Sequence, residues 1–117
     1  MQLNNIDNSV NLSLIIATYQ GISKLSNLLK SIVDSTKVPK EIIIVHTEED
    51  DLNYLKKEYA DLNIKLIVSK IKNQVYQRKY GFKYINYDYI LQIDDDIVFE
   101  RNAIQKLHEN IIFSNRV

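Results

Sequence analysis

Four short apolar runs, at residues 12–18, 41–45, 64–68 and 89–93, limit what this chain can become more than any other feature of it. Each is expected to be a β-strand. The segments between them have helical spacing. Ser23 is a candidate cap for a helix whose apolar face carries Leu25, Leu28, Leu29, Ile32 and Val33. Pro39 should separate that helix from the second run. Further helices are expected over 50–60, 73–85 and 102–110, the last with Ile104, Leu107 and Ile111 on one face. Strand and helix thus alternate four times, and with only two glycines and one proline the elements should be long and regular. Three of the runs are almost continuously apolar, and the third is interrupted only by Lys65. Such strands are usually covered on both faces, which predicts an α/β fold with a mostly parallel sheet.

A chain of 117 residues suits one domain with one core, expected over 11–117 after a flexible, Asn-rich segment 1–10. Lys+Arg and Asp+Glu are both 15, so no general attraction to nucleic acid is expected. The lack of cysteine excludes disulfides and thiolate metal sites. The N-terminus "MQLNNIDNSVN" lacks the basic start and apolar run of a signal peptide, and no apolar run is long enough to span a bilayer. The expected location is the cytoplasm.

Open parallel sheets bind ligands outside the carboxyl ends of their strands. The residues at those places are Thr18-Tyr19-Gln20, His46-Thr47-Glu48-Glu49-Asp50, Ser69-Lys70 and Asp94-Asp95-Asp96. Consecutive acids after an apolar strand are unfavourable unless something cationic meets them. Carboxylate oxygens suit Mg²⁺ or Mn²⁺, which often bind through one or two carboxylates and a substrate's phosphates. If strand geometry persists, Asp94 and Asp96 share a face and Asp95 points elsewhere. The plainer alternative is an acidic loop or a helix start.

Ile71, Val75, Arg78, Phe82 and Ile85 are spaced as one helical face, which places Arg78 in an apolar stripe. A guanidinium there is expected either to contact a phosphate or the acidic cluster, or else to snorkel to the surface or pair with a structural acid. Thr18 and Tyr19 suit a base and ribose, or an ordinary turn. His46 is either a loop residue or a ligand. Tyr76, Tyr80 and Tyr84 share a second helical face, read as packing.

Together these stretches resemble family 2 glycosyltransferases. "LSLIIATYQ" resembles their opening strand, "PKEIIIVHTEEDD" their second strand and acidic loop, and "QRKYGFKYINYDYILQIDDDIVFERNAIQKL" the Arg-to-Asp-X-Asp segment. The resemblance spans residues 12–110 and implies a GT-A, Rossmann-like domain that binds a nucleotide-diphosphate sugar, most often a UDP-sugar. It implies nucleotide contacts at Thr18, Tyr19, Thr47, Arg78, Asp94 and Asp95, and a divalent metal, Mn²⁺ or Mg²⁺, on Asp94 and Asp96. The implied reaction is inverting transfer to a saccharide, lipid or protein hydroxyl. His46 and Thr47 stand where the family usually has Asp-Asp. No residue here matches the downstream general base, so the chain is read as the donor-binding part, truncated relative to the family. An exposed apolar patch near Ile111-Ile112-Phe113 and self-association are then expected. The alternative is a non-catalytic α/β binding module whose acids are surface charge. A nucleotidyltransferase fits less well, because Gly21 and Gly81 are the only glycines and no phosphate loop can form.

Overall fold

The structure, a computed structural model, describes residues 8–114, with side chains through Ile111. Its elements are β1 (Ser9–Ala17), α1 (Ile22–Val33), β2 (Val38–Thr47), α2 (Tyr54–Glu58), β3 (Ile64–Ser69), α3 (Gln74–Gly81), β4 (Ile90–Asp94) and α4 (Ala103–Ser114), with a 3₁₀ turn at Phe82–Tyr84. The four strands form one sheet in the order β3-β2-β1-β4, and every pairing is parallel. The alternation read from the apolar runs is therefore the architecture, that of a Rossmann-like sheet.

Several boundaries differ from expectation. Ser9 and Val10 already belong to β1, while residues 1–7 lie outside the described residues. Pro39 sits inside β2, opposite Val10, where the β1–β2 register shifts and a missing N–H is tolerated. Ser23 lies within α1. The cap position is Gly21, which makes no side-chain capping bond. The polar segment 50–60 contracts to the five-residue α2.

The two central strands are buried on both sides. Leu12, Leu14, Ile16, Ile42 and Ile44 pack with the leucines of α1 and with Ile104 of α4. On the opposite face Ile15, Ile43 and Val45 meet Ile67, Tyr80 and Ile85. β4 departs from the expected run: Leu91 and Ile93 pack on the core, whereas Ile90, Gln92 and Asp94 are exposed. Ile111 packs against the core, and the side chains of Ile112 and Phe113 lie outside the described residues.

Helix α3 approaches the sheet through a glycine. A Cβ on Gly81 would lie 3.0 Å from Val45 Cγ2 and 3.2 Å from Ile15 Cγ2, so the helix rests almost backbone-on-sheet. The expected apolar stripe is consequently turned away: Val75 is 60% exposed, and Ile71 and Phe82 are exposed with it. The buried residues of α3 are Gln77 and Gly81. Tyr76 and Tyr80 stack on each other, and Tyr80 also packs on the core.

The strand order reverses at β1. Units β1–α1–β2–α2–β3 progress to one side, and α3 carries the chain back across the other face to β4. The crevice of such a sheet lies at that reversal, beyond the carboxyl ends of β1 and β4. Ala17 is paired with Asp94 there, so the residues following both meet at its mouth.

Candidate functional site

The end of β4 places the three acids in different environments. The strand stops at Asp94, and a turn closed by the Ile97 N–H on the Asp94 carbonyl (3.3 Å) carries Asp95 and Asp96. Strand alternation does not persist, yet the acids still diverge. Asp94 and Asp96 are exposed, the Asp94 side chain at 55%, and Asp95 is buried.

Asp95 turns inward, where its Oδ2 accepts a 2.8 Å hydrogen bond from Thr18 Oγ1. Thr18 is only 2% exposed. Its backbone N–H donates to the Val45 carbonyl (3.0 Å), and its carbonyl accepts from Gln77 Nε2 (3.0 Å). Gln77 Nε2 also donates to the Val45 carbonyl (2.9 Å). Gln77, 1% exposed, thus links α3 to the ends of β1 and β2. Sequence reasoning passed over it. The available signal was its i, i+4 relation to Gly81, which puts both on one helical face.

Arg78, next in α3, donates from its guanidinium to Asp94 Oδ1. Arg78 pairs with an acid of the cluster, which fits both a binding and a structural role, and the helical face it lies on is not buried. Its Nε is shielded from solvent and has no hydrogen-bond partner.

A second cluster lies across the crevice at the ends of β1 and β2. Tyr19 is exposed, and Lys72 Nζ stands 4.9 Å from its ring centroid and 3.2 Å from its hydroxyl. Lys72 also pairs with Glu49 at 3.2 Å. Thr47 is buried, and its hydroxyl donates to Glu49 Oε2 at 2.6 Å. The Thr47 hydroxyl, with help from Lys72, holds the Glu49 carboxyl below its usual range. The Tyr19 hydroxyl and Glu49 raise the Lys72 ammonium. Neither Lys72 nor Glu49 stood out individually in the sequence. His46 is a buried strand residue whose Nδ1 lies 3.0 Å from the Thr47 carbonyl. Beside this cluster Gln20 has a positive φ of 52°, and its N–H donates to Asp50 Oδ2 (3.0 Å).

Among the described residues no three acids or histidines gather into an all-protein metal cage. Mg²⁺ and Mn²⁺ do not need one when a diphosphate supplies further oxygens. Asp94 and Asp96, exposed beside each other on one turn, have the donor chemistry for such a cation, and Arg78 adds a fixed positive charge. The crevice therefore has an aromatic ring and a Lys–Glu pair at one end, and the Arg78–Asp94 pair with Asp96 at the other.

A family model for Glycosyl transferase family 2 matches residues 13–116. The chain is 36% identical over 101 residues to YwdF of Bacillus subtilis (strain 168), an uncharacterized glycosyltransferase, covering 86% of this chain and 38% of that one. Its fold is similar to that of S. aureus TarS 1-349, with a TM-score of 0.75 at 20% identity over 89% of this chain and 33% of the other. The crystal structure of TarS 1-349 in complex with UDP-GlcNAc matches at a TM-score of 0.73, again at 20% identity, covering 89% of this chain and 32% of that one. The chain thus spans about a third of the length of these proteins.

Proposed function

This chain belongs to glycosyl transferase family 2, and from that premise we propose that it is the donor-binding part of an inverting glycosyltransferase that takes a nucleotide-diphosphate sugar, with UDP as the nucleotide. The observation that carries this reading is the meeting of Arg78 with Asp94 at the crevice mouth, between the two strands where the sheet order reverses. TarS, whose fold this chain shares, was crystallised with UDP and with UDP-GlcNAc.

In this reading Tyr19 offers a ring face to the base or ribose, and Glu49, aimed by Thr47, offers an acceptor for a base N–H. Arg78 binds a phosphate oxygen through its planar fork. Asp94 and Asp96 would hold Mg²⁺ or Mn²⁺, which would supply charge neutralisation for the diphosphate leaving group. The acceptor, a saccharide, lipid or protein hydroxyl, attacks the anomeric carbon directly, with a general base that no residue here is assigned to supply. A cytoplasmic location is part of the same proposal. Among the described residues no helix is long and apolar enough to cross a membrane.

Calorimetric titration with UDP, with and without Mn²⁺, tests the donor site. Metal is expected to tighten UDP binding, and Asp96→Asn to remove that gain, a loss of about tenfold or more in affinity. A folded chain that binds no UDP under either condition would favour the non-catalytic module.

Self-association follows from the exposed side of the sheet. β4 is an edge strand, Ile90 on it is exposed, and Val75 and Phe82 of the α3 segment add further apolar surface. Sedimentation velocity should show concentration-dependent dimers that Ile90→Lys reduces. A single monomeric species across the concentration range would rule this out.

A further inference from the structure

We propose that Thr18 and Asp95 are positioning residues, a buried hub that holds the nucleotide end of the crevice in register with its metal end; this rests on the donor-site reading above. Both side chains are buried, and the backbone closes over their bond. A Cβ on Gly21 would lie 2.2 Å from Asp95 Oδ2 and 2.9 Å from Thr18 Oγ1. A ligand in the crevice therefore meets their neighbours and not the pair itself.

The neighbours are what give the hub its role. Thr18 binds three separate segments: β2 through the Val45 carbonyl, α3 through Gln77 Nε2, and the β4 turn through Asp95 Oδ2. Each partner stands beside a candidate ligand in the chain. Tyr19 follows Thr18, Arg78 follows Gln77, and Asp94 and Asp96 flank Asp95. Fixing Gln77 and Asp95 to one threonine fixes Arg78 and the two exposed carboxylates relative to Tyr19. A hydroxyl-to-carboxylate bond suits this task because it is charge-assisted and directional, and water does not compete for it where it is buried. It also explains the third acid. Asp95, bonded to Thr18, is the anchor of the turn that presents the two exposed carboxylates proposed as cation ligands.

A network serving stability alone predicts that Thr18→Val lowers the melting temperature and leaves ligand preferences as they were. The positioning role predicts a change in the coupling between metal and nucleotide. The first readout is the ratio of UDP affinities with and without Mn²⁺. It should fall about tenfold in Thr18→Val and in Asp95→Asn, within the range seen when outer-shell partners of metal ligands are removed. Thr18→Ser, which keeps the hydroxyl, should restore it. An unchanged ratio in Thr18→Val and Asp95→Asn, with only thermal stability reduced, would overturn the proposal.

The second readout needs no ligand. Amide hydrogen exchange at residues 94–97 should quicken in Thr18→Val and return to the wild-type rate in Thr18→Ser. If the wild type shows no metal-dependent UDP binding, the donor-site reading fails, and exchange alone then decides the positioning claim. Wild-type protection of that turn in Thr18→Val would end it.

Discussion

Replacing Glu41 by glutamine is expected to lower the unfolding free energy by about 3 kcal/mol, and by alanine about 4. Glu41 is fully buried at the end of the sheet away from the crevice. Its Oε1 accepts from Lys65 Nζ (2.8 Å) and Asn86 Nδ2 (3.0 Å). Its Oε2 accepts from Ser13 Oγ (2.6 Å) and the Asn86 backbone N–H (2.7 Å). One carboxylate thus joins β1, β2, β3 and the loop that leads into β4. A glutamine cannot replace it. With its amino group toward Lys65 and Asn86 Nδ2 it faces two donors. Turned the other way, the Ser13 hydroxyl can rotate to accept, but the Asn86 N–H loses its partner. Urea denaturation at neutral pH measures the difference, and a loss below about 1 kcal/mol would contradict the account, being no more than an ordinary neutral hydrogen bond.

The same carboxyl sets an acid limit on the fold. Burial alone would raise its pKa, but the bonds from Lys65, Ser13 and Asn86 outweigh burial and lower it from 4.5 to about 2. A depressed carboxyl binds its proton more readily in the unfolded chain, so acid favours unfolding. The contribution is fully present above pH 4.5 and is lost as the pH falls from there toward 2. The shift corresponds to about 3 kcal/mol. The wild type should therefore lose stability across that window by this amount more than Glu41→Gln, which has nothing to titrate there. Parallel stability curves for the two proteins below pH 4.5 would show that Glu41 is not the group responsible.

What the sequence revealed follows the strength of its local signals. Continuous apolar runs have few alternatives to buried parallel strands, so the sheet was legible, and with it the position of Tyr19 and the acids just beyond the carboxyl ends of its strands. The orientation of α3 was not. Ile71, Val75, Arg78 and Phe82 make the more hydrophobic stripe, yet the face with Gly81 lies on the sheet, because only there can the helix backbone come so close to Val45 and Ile15. A search for apolar periodicity passes over a glycine and a glutamine, and so it passes over Gln77, which satisfies two strand-end carbonyls. The bond between Asp95 and Thr18 was hidden for another reason: the two residues are 77 positions apart. The expectation of strand alternation gave the right divergence of the acids, although a turn produces it. Glu41 lay in plain view inside an apolar strand, but its donors come from three other segments and no local pattern announces them.

Gly21→Ala should be nearly as disruptive as the loss of Glu41, about 3 kcal/mol, from the addition of one methyl group. Gly21 has φ −108° and ψ 36°, a conformation open to other residues, so backbone strain is not the reason. The reason is contact. The new Cβ would lie 2.2 Å from Asp95 Oδ2, well inside van der Waals separation, and the backbone of α1 begins at the next residue. Either the carboxylate withdraws, losing Thr18 and staying buried without its partner, or the start of α1 moves off its leucine core. Both are costly, and the first also releases the turn that carries Asp94 and Asp96. A double-mutant cycle separates the two. Asp95→Ala removes the closer of the two atoms the methyl group strikes and frees the Thr18 hydroxyl, the other at 2.9 Å, to rotate away, so Gly21→Ala in that background should cost about 1 kcal/mol beyond Asp95→Ala itself, and a coupling of about 2 kcal/mol should appear. Additive effects would mean that the methyl group strains α1 and not the Thr18–Asp95 bond, and Gly21 would then be a packing residue of the helix alone.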